Sequence, residues 1–445
     1  MKALFHVAPA FYLSVGVRTF LRNHPYLIYK AAPAYGRFGM HESPPHVLFI
    51  NRVYPPAAGA TGAILAELAE RLVQRGWRVT VVTGPAEGEP ASTMQNGVCV
   101  ERVSALRFTR ASTWRRALAY LSHYPAFLAR ALRLERPDVV VSKTDPPLHL
   151  VLSALLQAIW QIPAVHWAQD VYPEIAEELG VIPQNGWLAR LLRTVSTQAL
   201  HRHHRVVTVG RCMQERIVRR GYPKARTRVI PNWPPDTVHP VPHEANDFRA
   251  AHDLQDRFVV MYSGNMGLAH PFDTVLDAAA RVQRTHPDML FAFVGDGPRK
   301  QALHTQVHER GLDNIRFFPY QPMETLAHSL SAADVHIVTM QPKLTGLVVP
   351  SKLYGVLAAG RPAVFIGPPR SEAAQVLREH TCGSVLDRPS ADELADTLRE
   401  WYAGAEERSA AGQRARRAVE DAAATAAADF DTVLQTCVRA SAYAT

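Results

Sequence analysis

Pro350, Ser351 and Lys352 stand at the head of LTGLVVPSKLYGVLAAGRPAVF (344–365), where apolar residues recur at helical spacing as far as Ala359. The free N–H groups and dipole of a helix start favour an anion, and Lys352 would add a full positive charge. Two glycine loops lie upstream. In YSGNMG, Gly264 and Gly267 follow an apolar run; in VGDGPRKQAL, Gly295 and Gly297 bracket Asp296, with Arg299 two residues on. Glycine lets backbone N–H groups come close to phosphate oxygens. Together these residues suit a diphosphate leaving group, on which negative charge grows as the bond to it breaks. Each also has a blander reading: Lys352 as a solvated lysine in a first helical turn, Gly-x-Gly as a plain strand–helix turn. The second loop is not a Gly-x-Gly-x-x-Gly dinucleotide fingerprint.

These loops need a scaffold, and the sequence supplies strands and helices in alternation. HVLFINRVYPP (46–56), WRVTVVTG (77–84), PDVVVSKTDPP (137–147), PAVHWAQDVYPE (163–174) and RVVTVG (205–210) read as strands entering loops, and GATGAILAELAERLVQRG (59–76) as a helix ending at Gly76. RVIPNWPPDTVHPVP (228–242) is proline-rich without apolar period and reads as a linker. The alternation then restarts, with strands at 256–267, 288–294, 315–322, 333–340 and 360–369 and helices at 272–287 and after 298. The fold class expected is α/β, two mainly parallel sheets covered by helices. Ligands of such sheets bind at the carboxyl ends of strands, and two facing sheets place those loops across one cleft.

The 445 residues exceed one compact core. Hydrophobic content of 47% and 20% charged residues describe an ordinary folded chain. No run of about 18 apolar residues suggests a transmembrane helix. Arg18 and Arg22 break the apolar stretch after Lys2, so no signal peptide is expected. Cys99, Cys212, Cys382 and Cys437 form no Cys-x-x-Cys pair, which indicates neither zinc nor a disulfide framework and fits a reducing cytoplasm. The net charge of +9 is uneven: residues 46–238 carry 24 Lys/Arg against 14 Asp/Glu, and residues 239–445 carry 20 against 25.

In this order, YPPAAGATGAILAELAERLVQRGWRVTVVTG, AVHWAQDVYPE, VVTVGRCMQERI, VIPNW, YSGNMG, FVGDGPRKQAL, the Ala-Asp of AADV and VPSKLYGVLAAGRP resemble the retaining group 1 (family 4) glycosyltransferases. The resemblance runs over roughly residues 46–400 and is strongest to the branch of exopolysaccharide, capsule and O-antigen synthesis, including colanic-acid-type enzymes. It implies the GT-B fold: residues 46–238 as an acceptor domain, 239–425 as a nucleotide-sugar domain, and 426–445 as a helix packing back on the first. It also implies an intracellular nucleotide-sugar donor, expected to be a UDP-sugar, retained configuration, and no metal or cofactor. Asp429-Phe430-Asp431 spells a metal motif, but in an alanine-rich helical tail it reads as chance.

Roles carry over residue by residue. Gly59 and Gly62 resemble the first-domain glycine loop closing over the donor. Asp170 matches the polar position at the cleft centre, where a carboxylate could take the acceptor's proton. His166 is a catalytic candidate, or a core residue within a buried strand. Glu174 would bind acceptor hydroxyls or cap a helix. Gly264, Asn265, Gly297, Arg299, Ser351 and Lys352 would hold the diphosphate, with Asn265 where relatives carry arginine and His270 near their lysine. Tyr320 and Gln321 fall in the loop that holds the base. One departure stands out: Leu347 and Gly355 occupy the approximate positions of the family's Glu-x7-Glu pair, and no acidic residue is present there.

The basic first half suggests where the acceptor lies. Residues 102–136 hold eight arginines and Glu135 as the only acid, interleaved with Trp114, Tyr120, Tyr124 and Phe127, and residues 186–228 add eleven Lys/Arg against Glu215 alone. This suits an anionic inner membrane surface and a lipid-linked or glycan acceptor. Ordinary core aromatics under a solvated basic face remain the alternative. No recognition motif points to nucleic acid. Residues 1–45 read as an extension, either a membrane-contact arm or a segment preceding the true start at Met40. Two other functions stay open: a nucleotide-sugar 2-epimerase on the same fold, and a non-catalytic nucleotide-sugar-binding subunit.

Overall fold

The computed structural model describes residues 43–57, 59–105 and 113–442, so the extension before residue 43 and Arg107 and Arg110 lie outside the described residues. Fourteen strands make two sheets among those residues. The first holds β1 (His46–Ile50), β2 (Arg78–Thr83), β3 (Ser92–Gln95), β4 (Val98–Arg102), β5 (Val139–Ser142), β6 (Ala164–Ala168), β7 (Arg205–Thr208) and β8 (Thr227–Val229), ordered β3-β4-β2-β1-β5-β6-β7-β8. The second holds β9 (Phe258–Ser263), β10 (Met289–Val294), β11 (Ile315–Phe318), β12 (Val335–Thr339), β13 (Ala363–Ile366) and β14 (Gly383–Leu386), ordered β11-β10-β9-β12-β13-β14. This is the two-sheet GT-B architecture that the resemblance implied.

Every pairing is parallel except β3 with β4. Central strands of such a sheet are covered on both faces, which is why β1 (HVLFI) and β10 (MLFAFV) are buried at every residue. Phe49 sits between Val81 and Val141 in register. Asn96 and Gly97, both at positive φ, make the two-residue turn between β3 and β4. The segment read as linker starts with β8, an edge strand, so the free crossing begins only after Val229.

The chain crosses back at its end. The helix Ala422–Ala442 lies on the first sheet's side through Phe430, edge-on to Trp167 at 4.5 Å, and Trp167 stacks on Trp233 at 5.9 Å. Asp431 accepts from Trp77 Nε1 at 2.8 Å, and Asp429 accepts from Arg228 at 2.6 Å. The two aspartates of the Asp-x-Asp spelling therefore pin the returning helix. Phe127 is fully buried and the Tyr124 hydroxyl donates to the Pro147 carbonyl, so these two aromatics of the basic stretch serve the core rather than an outer face. No helix of the described residues is long and apolar enough to cross a membrane.

Candidate functional site

Because β9, β10 and β12 run parallel, the loops that follow them emerge at one edge of the second sheet. Gly264 N–H donates to the Val294 carbonyl at 2.9 Å, Met266 N–H to Asp296 at 2.8 Å and Arg299 N–H to Met266 at 3.1 Å. The two glycine loops are thus laced to each other. A side chain at Gly297 would lie 2.6 Å from the Met266 carbonyl, and φ there is +151°. Gly297 therefore serves loop-on-loop packing. Gly264 differs: at φ +128°, its missing Cβ leaves open the space in front of Lys352, whose Nζ lies 3.5 Å from where that atom would be.

Lys352 opens the helix Lys352–Ala358, and Ser351 precedes it without a side-chain cap. The side chain is half-buried. It donates to the Tyr262 hydroxyl and lies 3.9 Å over the Tyr262 ring centroid. Tyr262 in turn donates to the Asn265 carbonyl at 2.7 Å. No carboxylate pairs with Lys352 among the described residues, and burial lowers its pKa to about 7. A cation held this way gains when an anion arrives beside it.

Neighbouring groups are fixed around that charge. His270 Nδ1 contacts the Thr339 carbonyl at 2.7 Å; burial, then the Lys352 charge, lower its pKa to about 3. His270 is thus neutral, not a second cation. Arg299 donates to the His270 carbonyl at 2.8 Å and lies 3.9 Å from Asp273, so it braces the 270–273 loop while keeping a quarter of its side chain exposed. Asn265 is exposed. Tyr320 is 52% exposed in the loop after β11, and Gln321 donates to the Pro319 carbonyl at 3.1 Å.

On the first sheet, Gly59 precedes the helix Ala60–Gln74, and a side chain at Gly62 would meet the Val53 carbonyl at 2.7 Å. Close packing of that helix start on the loop after β1 requires glycine there. Lys143, not singled out from the sequence, is fully buried. It donates to the Thr61 carbonyl at 2.8 Å and lies 3.7 Å over the Trp167 ring. Burial drives its pKa well down. It ties the glycine loop to the ends of β5 and β6. Only its place just after an apolar strand, beside Asp145, signalled it.

Asp170 lies where the two sheets' loops meet. It bridges to Val348, and Val171 N–H donates to the Leu347 carbonyl at 2.9 Å. The first sheet's polar loop is thus paired to the segment leading into Lys352. Burial, then the charge of Asp145, raise the Asp170 pKa to about 7. Asp145 is itself clamped by Arg52 through contacts of 2.7 and 2.8 Å. Leu347, at one of the missing glutamate positions, is fully buried and contributes its carbonyl instead.

Two expected site residues are placed otherwise. His166 is 4% exposed, its Nδ1 3.1 Å from Ser142 Oγ, which continues through Ser153 to His203. Its pKa is driven well down by burial first. It is a core histidine sharing with Asp170 a void of about 10 Å³, room for one water. Glu174 is 8% exposed and lies 3.6 Å from Arg220, which also donates to Ser196 and Thr197. It sits against the half-buried Arg220 rather than facing an open acceptor site.

Comparison with known proteins agrees with this geometry. The family described as Glycosyl transferase 4-like domain matches residues 59–233, and that described as Glycosyl transferases group 1 matches residues 244–418. The chain is 28% identical over 348 residues to a protein of Escherichia coli (strain K12) named as a colanic acid biosynthesis glycosyl transferase, WcaI, covering 73% of this chain and 83% of that one. It is 28% identical over 329 residues to a Pseudomonas aeruginosa protein named as a glycosyltransferase, WbjE, covering 73% and 81%. Its fold matches the crystal structure of Anabaena Alr3699/HepE in complex with UDP at a TM-score of 0.67 and 16% identity, over 88% of this chain and 100% of that one. Among the described residues no group of three His, Cys, Asp or Glu is placed to hold a metal ion.

Proposed function

Since this chain belongs to the group 1 (family 4) glycosyltransferases, we propose that it moves a sugar from a nucleotide diphosphate, a UDP-sugar, to a lipid-linked or oligosaccharide acceptor in cell-surface polysaccharide synthesis. The observation that carries this reading is Lys352, a half-buried cation without a carboxylate partner among the described residues, beside the open space at Gly264. The relatives named for glycosyl transfer, and the UDP held by the HepE fold neighbour, support the donor class.

In this reading residues 239–425 hold the donor. Its diphosphate lies against the 264–267 loop, with Ser351, Lys352 and Arg299 around it, and the base lies toward Tyr320 and Gln321. Fixed cations there stabilise the charge that grows on the departing phosphate. Residues 46–238 hold the acceptor, and the Gly59–Gly62 helix start closes over the donor. Asp170 faces the reacting carbon from the seam. The acceptor hydroxyl approaches the face that the phosphate leaves, so its proton passes to that phosphate and configuration is retained. No step in this scheme calls for a metal ion.

The outer face of the first sheet's helices supports a membrane source for the acceptor. Helices Thr113–Ala131, Leu150–Trp160 and Trp187–Arg202 pack side by side. They expose Leu121, Leu155, Ile159, Trp187, Leu188 and Leu191, with Trp187 at 77%, next to exposed Arg133, Arg136 and Arg190. Apolar groups among arginines suit an anionic bilayer, where each cation contributes about 1 kcal/mol. In this reading the enzyme works in the cytoplasm, peripheral on the inner face of the plasma membrane.

Transfer of radiolabelled sugar from UDP-, GDP-, ADP- and dTDP-sugars to a membrane extract tests the reading. A labelled lipid-extractable product is expected with one donor and not with Lys352→Ala. Turnover of donor alone to an epimer, or nucleotide binding without any product, would overturn it.

A further inference from the structure

Arg361, Arg408, Arg416 and Arg417 line one recess of about 590 Å³. Its floor is the edge at which the second sheet's strands begin: Asp334 directly precedes β12, and Gly360, Arg361 and Pro362 directly precede β13. The glycine loops and Lys352 follow strands of that sheet, so the recess lies a strand's length away, roughly 15 Å. Its walls are Pro240 and His243, from the segment joining the two sheets, and the helix Ala405–Ala418. That helix comes close because Gly412 carries no side chain; a Cβ there would run into the Gly360 carbonyl.

Charge in the recess is not balanced. Four arginines and two carboxylates, Asp334 and Glu420, line it; Arg408 donates to the Trp401 and Tyr402 carbonyls at 2.5 and 2.9 Å, which leave its positive charge without a carboxylate of its own. Asp334 is already shared: it lies 3.4 Å from Arg249 and 3.9 Å from Arg408, and it accepts from Val259 N–H at 2.8 Å. Among the described residues Arg361 donates only to the Val241 and Ser331 carbonyls. Burial first, and then the charges of Arg249 and Arg408 against the opposing pull of Asp334, lower its pKa. Arg416 makes two long contacts, 3.4 and 3.5 Å, with the Val238 and Ala358 carbonyls. Arg417 is exposed and has no side-chain partner among the described residues. Clustered guanidinium groups repel one another, and an anion between them removes that cost. Their planar forks match phosphate oxygens in pairs. The volume suits a small molecule.

We propose that this recess is a second anion site, which binds a phosphate-bearing small molecule between Arg361, Arg408, Arg416 and Arg417, apart from the diphosphate site at Lys352.

The test is calorimetric titration of the full chain with inorganic pyrophosphate at fixed ionic strength. Two binding events are expected for the unaltered chain. Lys352→Ala should keep the recess event, and the double variant Arg416→Gln, Arg417→Gln should weaken that event at least tenfold with an unchanged unfolding temperature. Combining all three substitutions should leave neither. A double variant that still shows both events overturns the recess. Lys352→Ala with both events intact overturns the donor site instead, so the two failures are distinct. Should the double variant fail to fold, Arg417→Glu alone, on an exposed side chain, must also weaken the second event tenfold; an unchanged event there would end the proposal.

Discussion

The Lys352 ammonium rests on the Tyr262 ring, 3.9 Å from its centroid, and donates to that residue's hydroxyl, with no carboxylate paired to it among the described residues. A half-buried cation partnered only by neutral groups gains when an anion arrives beside it. Lys352→Ala should therefore lower kcat/KM by about 10²–10³, the scale of removing one fixed group that stabilises developing charge. Lys352→Arg should not restore it, because the larger fork cannot stack on Tyr262 and still leave the Gly264 space open. Steady-state transfer rates check both.

The pH dependence follows from two groups near neutrality. Lys352 binds a diphosphate only when protonated, so donor KM should rise above pH about 7. Asp170 takes part only when ionised, so kcat should fall below pH about 7. The profile of kcat/KM should be a narrow bell. Asp170→Asn should flatten its acid limb and leave the alkaline limb in place.

Asp170 also costs stability. Its pKa is raised in the fold, so the folded chain binds more protons than the unfolded one between about pH 4 and 7, and stability is lost as pH rises through that window. Asp170→Asn should raise stability at pH 8 by about 2 kcal/mol or less, given partial solvent access at the seam, and add little at pH 4. Chemical denaturation at the two pH values measures this. A site residue whose removal stabilises the fold is one kept for chemistry.

Glu174 should behave as a structural group. Glu174→Ala leaves the half-buried Arg220 without its carboxylate, which should cost about 1–3 kcal/mol. In the same variant the acceptor KM should stay within twofold. Thermal unfolding and acceptor titration separate the two roles.

Trp187→Ser with Leu191→Ser should abolish sedimentation with phosphatidylglycerol vesicles while transfer to a soluble acceptor stays unchanged. Sedimentation equal to that of the unaltered chain would place the docking face elsewhere.

How far the sequence reached is clear from particular residues. β1 and β10 were legible because unbroken apolar runs such as HVLFI and MLFAFV can only be covered on both sides. β3 and β4 were missed although Asn96-Gly97 is a strong hairpin signal, since STMQ shows no apolar alternation. β14, four half-buried residues, gave no pattern either. The placement of Gly264 just after β9, and of Arg299 and Lys352 at helix starts, was legible from the apolar pattern around them. The neutrality of His270 was not, because it comes from burial and the nearby Lys352 charge, which only the folded chain creates. Lys143 was hidden for the same reason: its partners, Thr61 and Trp167, are remote in the chain.

A diphosphate seated between the Gly264 loop and Lys352 makes a direct demand on binding. Calorimetric titration at pH 6.5 with whichever of UDP, GDP, ADP and dTDP binds most tightly tests it most directly. At least tenfold weaker binding is expected for Lys352→Ala, with one proton or less taken up on binding to the unaltered chain and none to the variant. Equal affinity and equal proton uptake in the two proteins would contradict the account.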